Sequence, residues 1–392
     1  KQYAANSAVR YVEPNYIVRP VDTIPNDPSY PDLWGMTRIH APAAWDVAVG
    51  SPEIVVGIID TGILTTHQDL ADNIAAGGYD FANDTVNQVD NVGHGTHVAG
   101  TIGAVGDNSL GVVGVNWQVK MIPLKFLDPS GSTADAIRAV EYAATNTALK
   151  IKITNNSWGG GGYSQGLYDA IKAAGETYGQ LFIAAAGNDA EDNDETPHYP
   201  SSYNLPNLIA VAAIGDDGAL ADFSNYGLES VHLAAPGVDI LSTVPGGIGD
   251  QLDTYSGTSM ACPHVAGAAA LLWSIHPEYT YDVIRAAILD SAAPNPNLDG
   301  KVITGGELDL TAAIAVLGPQ LALDRQAYRS DATAQITVID PTLTTPLPTE
   351  VTADAVVQDP TAADRWSGSV TLPVAGGNTY TGALALISGT MT

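Results

Sequence analysis

The chain has 392 residues, of which 15 are Lys or Arg and 43 are Asp or Glu, giving a formal net charge of −28 at pH 7. Such a surplus repels nucleic acid and anionic membranes and suits high salt or divalent cations. No run approaches the ~20 apolar residues of a membrane span, and the single Cys262 excludes an internal disulfide.

The length suits one core of roughly 250–300 residues with a smaller appendage. Residues 1–24 carry no long apolar signal stretch; residues 9–18 read as one strand broken by Pro14, and a Pro-rich linker follows, so the start reads as internal to a longer precursor. From residue 53 the text alternates. "EIVVGIID", "VKMIPLKFL", "KIKITNNS", "QLFIAAAGN" and "NLIAVAAIG" are continuous apolar runs that end in Gly, Asn, Asp or other polar residues, as in parallel strands buried on both faces. "STADAIRAVEYAATNTA" and "YSQGLYDAIKAAGETYG" between them carry apolar residues at helical spacing. The pattern predicts an α/β fold, a doubly wound and mainly parallel sheet with helices on both faces. In such sheets ligands gather at the carboxyl ends of strands, which here read Asp60, Asn156-Ser157-Trp158-Gly159-Gly160 and Gly187-Asn188. After residue 317 the helical pattern stops. Residues 318–392 read as a small β-rich module whose last strand runs to the final residue.

Three short motifs carry chemistry. "VGIIDTGI" sets Asp60 at the end of a strand; "GHGTHVAGTIGA" and "GTSMACPHVAG" set His94 and Ser259 at the starts of small-residue helices. A serine hydroxyl near a helix start is ordinarily a cap. It becomes a nucleophile only with an imidazole in reach and a carboxylate to hold that imidazole's tautomer. Asp, His and Ser in this chain order on a parallel α/β scaffold is one of the orders in which that triad recurs.

Over residues 26–317 the chain resembles the subtilisin-like serine proteases, in particular the thermitase branch, whose entry segment is mirrored by Pro25-Asn26-Asp27-Pro28 and Trp34-Gly35. The resemblance implies that Asp60 orients, His94 is general base and acid, Ser259 is the nucleophile and Asn188 donates to the oxyanion. It places catalysis on the first histidine of "HGTH", leaving His97 as a packed helper. It implies that Ser157, Trp158, Gly159 and Gly160 pair with substrate and form one wall of the primary pocket. Ala186, Gly187 and the region of His198 and Tyr199 form the opposite wall and floor, with His198 narrowing it. The acidic run at residues 189–195 reads as a solvated loop, as a selector of basic side chains, or as a cation site. The expected specificity is broad, favouring aromatic or large apolar residues before the scissile bond.

The same resemblance implies calcium. Asp69 in "HQDL" matches a bidentate ligand, with Asp27, the Asn108 side chain and the carbonyls of Val105, Leu110 and Val112 completing a tight site. Asp80, Asp84 and Asp90 form a possible second site or a plain acidic turn. A third site is not expected, because His232 stands where the family has an aspartate. Residues 1–24 resemble the end of an inhibitory pro-domain, making the chain's own pro-segment an intramolecular inhibitor. The expected molecule is a secreted, monomeric zymogen-derived endopeptidase acting on polypeptides, with residues 25–317 as its peptidase domain. A silent peptide-binding protein on the same fold and a chain whose main task is adhesion by the β-module are the competing readings.

Overall fold

The computed structural model describes residues 23–246 and 251–317 and, of the remainder, the backbone of five strands. The strand expected at residues 9–18 lies outside the described residues.

The strands of the main body are β1 (Gly50–Asp60), β2 (Tyr79–Asp80), β3 (Gln118–Lys125), β4 (Ile151–Asn156), β5 (Leu181–Ala185), β6 (Leu208–Ile214), β7 (Leu233–Pro236), β8 (Ile240–Val244), β9 (Gln251–Tyr255), β10 (Ala293–Pro294) and β11 (Gly306–Glu307). The helices are α1 (Trp34–Arg38), α2 (Ala41–Trp45), α3 (His94–Gly103), α4 (Thr133–Thr145), α5 (Gln165–Glu176), α6 (Thr258–Ile275), α7 (Tyr281–Asp290) and α8 (Leu310–Leu317). Nine strands form one sheet in the order β10-β11-β7-β6-β5-β4-β1-β3-β2, parallel except for the short β10–β11 pair. Each of the five apolar runs became one of its central strands. Their continuity has a simple cause: neighbouring residues point to opposite faces and both faces are covered. Ile58, Ile153, Ile183 and Val211 join a core with α3, α6 and α7, whereas Ile59, Phe182 and Ala210 join the other core with α4 and α5.

Helices α4 and α5 start where a serine can cap them. Ser132 Oγ accepts from Asp135 N–H and Ser164 Oγ from Leu167 N–H, bonds worth about 1 kcal/mol each. Helix α6 is different, apolar on every side, and only Ser259, Ser274 and Ile275 escape full burial. It packs on β1, β4, β5, β6 and β7, so a residue on its first turn is delivered to the sheet's carboxyl edge. A two-stranded β8–β9 hairpin packs beside α3.

Beyond the main body, β12 (Gln320–Leu323), β13 (Thr333–Ile339), β14 (Glu350–Gln358), β15 (Arg365–Gly376) and β16 (Thr379–Ala385) form a five-stranded antiparallel sheet in the order β12-β13-β16-β15-β14.

Candidate active site

Strand β1 lies between β3 and β4, where the order of the sheet reverses, and the crevice beyond such a switch point is where α/β sheets bind ligands. Asp60, the last residue of β1, is wholly buried there. Its Oδ1 accepts from Thr61 N–H and from His94 Nδ1, each at 2.7 Å. A carboxylate only accepts, so this contact keeps the imidazole proton on Nδ1 and leaves Nε2 as a base. Burial works against the imidazolium, but the charge and hydrogen bond of Asp60, aided by Asp90, outweigh it and lift His94 above the usual histidine value.

One turn along the same helix, His97 meets the opposite fate. Its Nε2 faces the carbonyls of Ile240 (2.9 Å) and Asp253 (3.2 Å), its ring stacks on Tyr255, and burial pushes it down to about 4. The two imidazoles of "HGTH" are thus separated by their partners: His94 has a carboxylate, His97 only carbonyls.

Ser259 occupies the second position of α6. Its hydroxyl donates to the carbonyl of Ser157 at 3.0 Å, and Ser157 Oγ donates back to the carbonyl of Ser259 at 2.8 Å. Pro263 explains why that carbonyl is available. A residue at 263 would ordinarily give its N–H to the carbonyl four residues earlier, and proline has none. The hydroxyl of Ser157 also accepts from Asn155 Nδ2 at 2.9 Å. Ser157 in turn lines the cleft that contains His94. In this arrangement Ser259 donates to Ser157, so its hydroxyl proton must leave that carbonyl before it can pass to His94.

Asn188 follows β5 and is bound by the start of α6. Its Oδ1 accepts from the N–H and the hydroxyl of Thr258 (2.8 and 2.9 Å), while Thr258 Oγ1 accepts from Gly187 N–H at 3.1 Å. With Oδ1 engaged, Nδ2 is the donor left to point outward. Asn188 Nδ2 and Ser259 N each lie 3.6 Å from the point where a Cβ on Gly257 would sit. Two N–H donors therefore flank one small gap at a helix N-terminus, a place suited to developing negative charge. Gly257 and Thr258 were not assigned a role from the sequence; the signal available was their place directly before Ser259 in "SGTSM".

A cleft of about 470 Å³ runs from His94 and Thr61 between residues 126–133 and residues 157–160, with Trp158 and Tyr199 in its walls. Ser157, Trp158, Gly159 and Gly160 line one side, and the opposing segment at Phe126, Leu127 and Gly131 was missed because nothing in "FLDPSGS" marks it as more than a loop. Ala186 and Gly187 are buried beside Asn188, and the His198 ring lies against both Gly159 and Gly187. In the acidic loop, Asp194 accepts from Glu229 N–H and Ser230 Oγ, and Asn193 is buried on Ala186 and Asn225. Cys262 is a buried filler whose thiol is pushed up to about 12 by desolvation.

Of the residues named for a tight cation site, the structure brings Asp27, Asp69 and Asn108 together. Asp27 and Asp69 are both buried. The loop at residues 105–112 closes on them: Asp107 and Asn108 donate backbone N–H to Asp27 (2.8 and 3.3 Å), and Val112 N–H and Asn108 Nδ2 donate to Asp69 (2.9 Å each). Val105 N–H also binds the carbonyl of Asp69. Desolvation raises the Asp27 pKa, so a cation beside it would relieve that cost. Two carboxylates, one amide and the carbonyls of Val105, Leu110 and Val112 are a hard-oxygen set that fits calcium, once the Asn108 amide turns its oxygen inward.

The second group does not converge, and this corrects the reading of Asp80, Asp84 and Asp90 as one site. Asp80 is held by Asn83 and faces the buried Lys125 ammonium at 3.9 Å; Asp84 pairs with Arg138. Asp90 serves α3: it accepts from Thr61 Oγ1, Val92 N–H, Gly93 N–H, Thr96 N–H and Thr96 Oγ1 at 2.7–2.9 Å. No cluster of three or more His, Cys, Asp or Glu side chains fit for a metal forms among the described residues. His232 accepts from Ala210 N–H and is pushed by burial down to about 3.

Comparison with known proteins agrees with this geometry. The subtilase family model matches residues 51–316. Thermitase of Thermoactinomyces vulgaris is 41% identical over 276 residues, covering 68% of this chain and 91% of that protein. Subtilisin-like protease 2 of Plasmodium falciparum is 38% identical over 257 residues, 62% of this chain and 19% of that protein, so the chain spans about a fifth of that relative's length. Among solved structures, one of proteases from Pseudoalteromonas arctica aligns with a TM-score of 0.68 at 32% identity, over 75% of this chain and 99% of the other.

Proposed function

We propose that this chain, which belongs to the subtilase family, acts as a serine endopeptidase on polypeptides. The observation that carries the reading is the pairing of the Asp60–His94 contact with a Ser259 whose backbone N–H and Asn188 Nδ2 flank a single gap. Ser259 Oγ gives up the Ser157 carbonyl, passes its proton to His94 Nε2 and attacks the peptide carbonyl. The tetrahedral oxyanion lies between Asn188 Nδ2 and Ser259 N–H. His94 then returns the proton to the leaving amine, the C–N bond breaks and an acyl ester remains on Ser259. Water, deprotonated by the same nitrogen, attacks the ester, and the proton goes back to Ser259.

Calcium belongs to the proposal as a stabiliser, not as a reactant. Asp69 and Asp27, with Asn108 and the carbonyls of Val105, Leu110 and Val112, would hold it and so tie residues 26–29 to the loop at 105–112. Secretion, the monomeric state and the role of residues 1–24 as the end of an inhibitory pro-segment rest on the family resemblance.

The test is hydrolysis of casein by the purified chain and by Ser259→Ala, with and without a calcium chelator. Loss of turnover by a factor on the order of 10⁶ in the variant supports the nucleophile, and a melting temperature that falls on chelation supports the calcium site. A chain that binds peptides yet neither hydrolyses casein nor is labelled by a fluorophosphonate is a binding protein on this fold instead.

A further inference from the structure

Ser259 is bonded to Ser157 on one side and the oxyanion donor Asn188 stands on the other, so the peptide residue whose carbonyl is attacked (P1) lies over the gap between residues 157–160 and residues 186–188. That gap is not empty. A Cβ built on Gly159 would lie 2.0 Å from Cε1 of His198, and one built on Gly187 3.0 Å from its Cδ2. The imidazole therefore reaches from one glycine Cα to the other, in a slot about one planar ring wide. Any side chain on Gly159 would expel it, and Gly187, at φ +114°, has a backbone that only glycine adopts readily.

The ring is also anchored. Nδ1 of His198 bonds Ser201 Oγ at 3.0 Å, His198 N–H donates to Ser202 Oγ at 3.0 Å, and Ser202 N–H returns to the His198 carbonyl at 2.8 Å. Gly160 N–H bonds the carbonyl of the next residue, Tyr199, at 2.9 Å, fastening this segment to the opposite wall. Swinging the ring away would break the Ser201 contact, and the backbone around it has little slack.

We propose that His198 is a built-in stop that shortens the primary pocket, so that the chain cleaves after residues with short side chains and discriminates against aromatic and large aliphatic ones. This rests on the assignment of Ser259 and Asn188 above, and it replaces the preference for aromatic or large apolar P1 residues expected from the family. A P1 ring and the His198 ring compete for the same slot, whereas the methyl of alanine ends before it. The rest of the substrate remains free to use the apolar cleft at Leu127, Trp158 and Tyr199.

The experiment measures kcat/KM on tetrapeptide anilides that differ only at P1 (Ala, Leu or Phe) for the full chain, His198→Asn and His198→Ala, per active site titrated with a small fluorophosphonate. The native chain should favour Ala over Phe by about 10-fold or more, and His198→Ala should raise the Phe value by about 10–200-fold, the scale set by pocket volume. His198→Asn, which keeps a side chain able to bond Ser201, should fall between. A native profile with Phe at or above Ala, or a Phe-to-Ala ratio unmoved by His198→Ala, overturns the inference alone. Absence of both labelling and cleavage across the series overturns the nucleophile assignment, and this inference with it.

Discussion

The base half and the nucleophile half of the site are built in different ways. At the base half, Asp60, His94 and Asp90 sit in a network of charge-assisted bonds of 2.7–2.9 Å, and the working geometry is already present. At the nucleophile half, Ser259 donates to a backbone carbonyl and must leave it to act, while Asn188 and Thr258 hold the oxyanion donors in place. The difference teaches that orientation of the base is stored as fold stability, whereas activation of the serine requires its hydroxyl to give up the Ser157 carbonyl.

The sharpest way to separate the halves is Asn188→Ala. It should lower kcat by about 10²–10³-fold with a fall in melting temperature smaller than that at Asp90, because two Thr258 donors rather than five lose their acceptor, as read by single-substrate kinetics beside a thermal scan. Asp90→Ala should do the reverse in emphasis. Five donors lose their acceptor, so a destabilisation of about 3 kcal/mol is expected, a fall of roughly 6–12 °C in thermal midpoint. An unchanged midpoint would break the claim that the base half is where stability is stored.

Acid should then part activity from stability. His94 must be neutral to act and its pKa is raised, so kcat/KM is complete well above that value and is lost as pH falls through it, on the alkaline side of an ordinary histidine. His97 and His264 are buried and lowered to about 4, and His232 to about 3. Their folded pKa values lie below the unfolded one. The stability they contribute is complete above about pH 6.5 and drains away as pH falls toward 4 and 3, because the unfolded chain binds protons first. A pH–rate profile and a pH series of melts should show the activity limb above the stability limb. The smallest effect is expected from Ser157→Ala, which removes the hydroxyl from the Ser259 carbonyl but keeps the carbonyl that holds Ser259 Oγ; a change in kcat/KM within about 10-fold fits the loss of one such bond.

The sheet was legible because its five central strands are buried on both faces, which writes itself as uninterrupted apolar text. The short and exposed elements were not. Strand β9 is the pattern Gln251–Tyr255, mostly exposed, and β7 is only four residues long, so neither carries a periodic signal. The triad residues could be read from their motifs and chain order, and the convergence of Asp27 with Asp69 from the resemblance. The role of Asp90 could not, since carboxylate spacing in "DFANDTVNQVDNVGHG" says nothing about which N–H groups will face each oxygen. Lys125, whose buried ammonium faces Asp80, is separated from it by 45 positions along the chain.

By itself the sequence determined the α/β layering, the capped helices and the identity of the residues able to make a base, a nucleophile and an oxyanion donor, because burial periodicity and side-chain chemistry are local properties. Only the tertiary structure decided which of two histidines meets a carboxylate, why Pro263 frees the carbonyl that ties Ser259 to Ser157, and that the His198 ring fills the slot between Gly159 and Gly187. Those outcomes depend on contacts between segments far apart in the chain, where a shift of an ångström changes the partner and hence the chemistry.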